Sequence, residues 1–153
     1  MKGRKVDTYT TLNDALVNLF RDVMDLEEKA LISQEYQDLT NNDMHVIQAI
    51  GTEEPKNMST IAKELSVTVG TLTIAMNSLV KKGYVVRERG REDRRVVYIS
   101  LSPKGRRAYD HHADFHKHMI DSITKALSPD EMNSLVKALK SLDAWFRSFQ
   151  ADV

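Results

Sequence analysis

Residues 58–106 read MSTIAKELSVTVGTLTIAMNSLVKKGYVVRERGREDRRVVYISLSPKGR, and the rest of the chain is best understood from this stretch outward. From Ser59 to about Leu65 the apolar residues Ile61, Ala62 and Leu65 recur at helical spacing, which predicts a short helix. SVTVG then turns the chain. In TLTIAMNSLVKK, Leu72, Met76, Leu79 and Val80 form one apolar stripe, while Thr71, Ile74, Asn77, Ser78 and Lys81 fall on the other side. Gly83 is a good helix stop. YVVRERGREDRRVVYISL places β-branched and aromatic residues on both sides of a charged, glycine-containing centre, which predicts a two-stranded hairpin with a basic tip.

Two short helices joined by a tight turn, followed by an arginine-rich hairpin, describe a winged helix-turn-helix. A recognition helix needs a buried stripe to fix its orientation and short polar residues opposite, so that it enters the major groove. The groove-facing candidates are Thr71, Thr73, Ile74, Asn77 and Lys81. Thr hydroxyls reach phosphates or base edges, and Asn77 has the amide that pairs with adenine. Thr68 and Gly70 bring backbone N–H groups to the helix start, where phosphate oxygens are favoured. The hairpin tip, with Arg87, Arg89, Arg91, Arg94 and Arg95, is placed to reach an adjacent minor groove or its phosphates.

Outside this block the chain reads as helix. Apolar residues from Leu12 to Leu31 recur at helical spacing and imply a long first helix. Thr40 stands three residues before Asp43 in a capping arrangement and opens a helix through His45, Ile47 and Ile50 that stops at Gly51. TEEPKN (52–57) reads as a turn. Ser102-Pro103 supplies an N-cap and a first-turn proline for a long helix to about Leu127. Ser128-Pro129-Asp130-Glu131 repeats the device for a last helix through Leu135, Leu139, Leu142, Trp145 and Phe146. The expected order is α–α–α–α–β–β–α–α, a mostly α fold with a small β-hairpin wing (α+β). It divides into a dimerisation helix at 1–35, a DNA-binding domain at 36–104 and C-terminal dimerisation helices at 105–153.

Composition narrows the function. At 153 residues, 41% hydrophobic and 29% charged, the chain suits one domain, or one head plus a dimerising element. No apolar run approaches the roughly 18–20 residues of a membrane span. The basic, then amphipathic start lacks a signal-peptide core, so a cytoplasmic address and no membrane partner are expected. With no cysteine there are no disulfides, thiolate metal sites or cysteine nucleophiles. There is also no glycine-rich phosphate loop and no G-x-S-x-G, so a non-enzymatic role is expected. Net charge is zero, yet twelve Lys/Arg against four acids between Lys56 and Arg107 leave that third at +8 and the remainder at −8. Such a concentrated centre suits a polyanion that meets one face only.

These residues also carry a resemblance. Helix-turn-helix, wing and strand-to-helix junction are similar to the MarR family of regulators, above all Asp93-Arg94-Arg95 followed by a strand and Leu101-Ser102-Pro103-Lys104-Gly105. The resemblance implies that Asp93 shapes the wing by pairing with an arginine, and that Arg94 or Arg95 enters the minor groove. It implies a homodimer with interlocked N- and C-terminal helices, binding a pseudo-palindromic operator on double-stranded DNA as a transcriptional regulator, in its usual form a repressor.

Two subgroups offer different effectors. The fatty-acid-synthesis repressors (FabT-type) resemble this chain in DMHVIQAIG, VTVGTLTIAMNSL, DRRVVYISLSPKGR and HADFHKHMI. That likeness implies an effector of long-chain acyl groups on acyl carrier protein, with Leu16, Phe20, Met24, Met44, Phe115 and Met119 as candidate apolar lining. Zinc-uptake repressors of the family share Glu27, His45, His112 and His116, the last two at the i,i+4 spacing that lets imidazoles share a metal. Their second zinc site has no counterpart here: Met44 stands where an acid would be, and there is no cysteine. The plain alternative is dimer core, with the histidines hydrogen-bonding one another or the backbone. No cofactor is required under any of these readings.

Overall fold

The computed structural model describes residues 7–31 and 35–151. In chain order the elements are α1 (Thr8–Leu31), α2 (Asn41–Ile50), β1 (Lys56–Asn57), α3 (Met58–Glu64), α4 (Val69–Lys81), β2 (Val85–Arg89), β3 (Val97–Leu101), α5 (Pro103–Ala126) and α6 (Pro129–Ala151). Contacts divide the chain into two compact units, one ending at Phe115 and the other beginning at His116.

The helix-turn-helix is built by its caps. Thr40 Oγ1 accepts from the Asp43 N–H at 3.1 Å while the Asp43 carboxylate accepts from the Thr40 N–H at 3.1 Å, a reciprocal box that starts α2. Asn57 caps α3 through Thr60 N–H at 2.8 Å, and Thr68 caps α4 through Thr71 N–H at 3.1 Å. Ser66 joins α3 to α4 with φ 55°, a left-handed conformation that turns the chain without a glycine. Leucine, isoleucine and methionine side chains from all three helices then close one core. Met44, Ile47, Ile50, Ile61, Leu72, Met76 and Leu79 are fully buried. Removing seven such side chains from water is the main favourable term holding the head together.

Two expectations need correction. The hairpin has a third strand: β1 pairs antiparallel with β3, Lys56 opposite Ile99 and Asn57 opposite Tyr98, giving the order β1-β3-β2. Two residues are too few to show a period, so Lys56-Asn57 reads as part of a turn until its distant partner is seen. Val80, counted in the buried stripe, is 36% exposed. It lies about 100° round the helix from Leu79, which takes it to the edge of the stripe.

Helix α4 ends in a paired backbone turn. Gly83 adopts φ 83°, the Gly83 N–H donates to Val80 O at 3.0 Å, and the Tyr84 N–H donates to Leu79 O at 3.0 Å. This hands the chain straight into β2. At the far side of the sheet, Ser102 Oγ donates to Gly83 O at 2.6 Å and Ser102 N–H to Tyr84 O at 2.9 Å. Gly105 in the first turn of α5 packs against that carbonyl so closely that a Cβ there would overlap it.

In the second unit, Ser128 and Glu131 form the expected capping box of α6, with Ser128 N–H on Glu131 Oε2 at 2.8 Å. None of the described residues of α6 is buried, and Leu139, Trp145, Phe146 and Phe149 are all exposed. No helix of the described residues is long and apolar enough to cross a membrane.

Candidate nucleic-acid interface

The buried side of α4 determines what its other side offers. With Leu72, Met76 and Leu79 locked in the core, Gly70, Thr71, Ile74, Asn77 and Lys81 are exposed together on the outer face, and Thr68 is exposed at its start. Thr73 is half-buried and donates its hydroxyl proton to Val69 O at 2.7 Å, so it has no free O–H for a ligand. Thr71 Oγ1 accepts from Thr68 Oγ1 at 3.0 Å, which leaves the Thr71 proton available to donate outward.

The wing is a tight tip with a braced arginine. Arg87 and Arg89 stand two apart on β2, opposite Ile99 and Val97, and share one face of the strand. At the tip the Gly90 N–H donates to Val96 O at 2.9 Å, and a Cβ at position 90 would lie 2.6 Å from Asp93 O, so only glycine fits. Asp93 accepts from Arg95 Nε at 3.1 Å, Arg95 Nη2 at 3.2 Å and the Arg95 backbone N–H at 2.9 Å. The Arg95 guanidinium, and then its backbone N–H, hold the Asp93 carboxyl below the usual carboxylate range. So exposed an ion pair adds little stability. What it does is aim: the Arg95 side chain remains 91% exposed, with one edge of its fork braced and the other open. Arg91 and Arg94 are exposed beside it.

A polar cluster behind α4 fixes the helix relative to the scaffold, and sequence reasoning missed it. Tyr84, fully buried, donates its hydroxyl to Asp38 Oδ1 at 2.7 Å. Lys104 Nζ lies 4.1 Å from the centre of the Tyr84 ring and 3.7 Å from Asp38 Oδ2, and donates to Lys82 O at 3.0 Å. Lys82 in turn pairs with Asp43 at 2.8 Å, tying the end of α4 to the capping box of α2. Burial alone would raise the Asp38 carboxyl, but the Tyr84 hydroxyl and Lys104 ammonium outweigh it and hold it low. Burial, then the Asp38 hydrogen bond, push the Tyr84 phenol well up. Asp38 and Tyr84 are 46 positions apart, so no local pattern announces the pair.

The predicted metal ligands fall unevenly. Glu27 is buried near the end of α1, and its Oε2 lies 3.9 Å from His45 Nε2 on the more exposed side. His112, also buried, brings a ring nitrogen within 4.8 Å of a Glu27 oxygen, and His116 stands one turn further along α5. One carboxylate and two imidazoles are a donor set that divalent zinc accepts. His111, beside them in sequence, serves the scaffold: its Nε2 is 2.9 Å from Ala30 O and its ring lies against Tyr36. Of the candidate acyl-chain lining, Met44 belongs to the head core, Phe20 and Met24 are exposed, and Leu16, Phe115 and Met119 are half-buried.

Comparison with known proteins places these features. The MarR family model matches residues 39–97. The chain is similar to Streptococcus pneumoniae FabT, solved in complex with DNA, at 35% identity and TM-score 0.87, covering 92% of this chain and 99% of that one. It is similar to SarZ of Staphylococcus haemolyticus, an HTH-type transcriptional regulator, at 34% identity over 67% of this chain and 69% of SarZ. Against the Bacillus subtilis regulator PchR, 28% identical, the match spans 66% of PchR.

Proposed function

The chain belongs to the MarR family of transcriptional regulators, and from that premise we propose that it binds a pseudo-palindromic operator as a homodimer and represses transcription. The observation that carries this reading is the outer face of α4, whose buried stripe leaves Thr71, Ile74 and Asn77 outward, flanked by a wing whose Asp93 aims Arg95 into solvent. In this reading α4 enters the major groove, the Thr68–Gly70 backbone meets phosphate, and Arg94 or Arg95 occupies the minor groove. Residues 36–104 form the DNA-binding part. The helices of 1–35 and 105–153 bring two copies together, which gives the apolar residues of α1 and α6 a partner.

Fluorescence anisotropy on duplexes recovered from a genomic selection tests it. Affinity is expected to fall steeply with added salt, because each phosphate contact releases counterions. A flat salt response, or a protein that stays single-chained on sedimentation, rejects the reading.

The effector we favour is a long-chain acyl group on acyl carrier protein, supported by the 35% identity to FabT over nearly the whole chain. Repeating the selection with and without acylated carrier protein tests it, with recovered sites at lipid-synthesis genes expected. A second reading, zinc, is favoured by the approach of Glu27 to His112. Glu27, His45, His112 and His116 would hold the ion, which would supply a cross-link between helices and no catalysis. Calorimetry showing no zinc uptake at micromolar metal ends that branch.

A further inference from the structure

The outer face of α4 contains one residue that polar groove chemistry does not explain. Ile74 is 75% exposed, the most exposed large apolar side chain of the described head, between the exposed polar residues Thr71 and Asn77. The core does not need it, because Leu72, Met76 and Leu79 already fill the buried stripe. An exposed isoleucine in isolation would call for no explanation. Here it stands mid-helix on the face directed outward, between polar neighbours. Thr73 adds no donor beside it, since its hydroxyl is spent on Val69 O.

Only one group in the major groove rewards an apolar side chain: the 5-methyl of thymine. We propose that Ile74 reads a thymine methyl in each half-site, an inference that rests on the DNA-binding reading and makes its specificity concrete. A β-branched side chain is stiff at χ1, so little rotamer freedom is lost on docking. Asn77 is three residues further along, a rise of about 4.5 Å, comparable to the spacing of about 3.4 Å between successive bases. Ile74 and Asn77 therefore address neighbouring base pairs, one by its methyl and the other by an adenine edge. The half-site they select has a thymine methyl next to an adenine presented in the same groove.

Replacing each operator thymine in turn by deoxyuridine removes that methyl and nothing else. With the recovered duplex as probe, one substitution per half-site is expected to weaken wild-type binding about four-fold, the worth of one buried methyl group. Ile74→Ala is expected to bind more weakly and to be indifferent to that same uridine, while Asn77→Ala keeps the sensitivity. Because Ile74 is so exposed, Ile74→Ala should melt as the wild type does. Tight wild-type binding that no uridine disturbs overturns the methyl contact and leaves the DNA-binding reading standing. Undiminished uridine sensitivity in Ile74→Ala assigns the methyl to another residue and also overturns it. Failure to bind any duplex removes both.

Discussion

The head and the last helix solve the hydrophobic problem in opposite ways. Helix α4 buries one stripe completely and keeps its outer face mostly polar, in a core closed chiefly by residues of the head with Leu31 and Ala108 added from α1 and α5. Helix α6 buries none of its described residues and exposes Trp145, Phe146 and Phe149, with Trp145 edge-on to both phenylalanines. Three exposed aromatics within five residues form the kind of patch that marks an interaction surface. On the homodimer reading, the two regions should differ in kind: one stable within the single chain, the other dependent on how many copies are present.

That contrast can be broken most forcefully in the head. Leu79→Ala empties a fully buried position and is expected to cost about 2–5 kcal/mol in denaturant unfolding, by the same amount at every protein concentration. A concentration-dependent loss would erase the distinction. Trp145→Ala with Phe149→Ala should do the converse. The melting curve of a dilute sample is expected to change little, while self-association measured by sedimentation, on the homodimer reading, weakens by about 2 kcal/mol or more, as for aromatic interface anchors. Unchanged self-association would move the subunit contact elsewhere.

A smaller effect separates scaffold from surface within the head. Tyr84→Phe removes the hydroxyl from Asp38 and is expected to cost about 1 kcal/mol. The raised phenol gives this loss a sign: the contribution is whole below the ordinary tyrosine pKa of about 10 and drains away as pH rises above it. Wild-type stability should therefore decline in alkali more steeply than that of the phenylalanine variant. Parallel curves would mean that neither burial nor Asp38 raises the phenol in the folded protein. The smallest expected change is a gain. Ser66→Gly relieves the left-handed turn between α3 and α4 and should stabilise by about 0.5–1 kcal/mol in thermal unfolding; a loss would show that the Ser66 hydroxyl contributes something there.

Much of this was legible in the sequence because it is local chemistry. The Thr40–Asp43 and Ser128–Glu131 boxes, the Gly83 stop and the buried Leu72–Met76–Leu79 stripe all depend on residues within one or two turns of each other. The outer face of α4 followed directly from that stripe. What escaped was set by distance in the chain or by unusual backbone. β1 exists only because Lys56 and Asn57 meet β3, more than forty residues away. The Asp38–Tyr84–Lys104 cluster joins three separate segments. The left-handed turn at Ser66 lacks the glycine that would have marked it. The grouping of Glu27 with His45 and His112 came from the resemblance to zinc-uptake repressors, helical spacing pairing only His112 with His116, and nothing announced the separate duty of His111.

The junction of Gly105 with the Tyr84 carbonyl has a mechanical consequence. Backbone meets backbone there with no side chain between, and Ser102 and Lys104 rivet the same two turns from either side. The root of α5 and the tail of the reading helix thus lack the slack to shift independently. A tilt imposed on the first turns of α5 is therefore expected to carry the end of α4 with it.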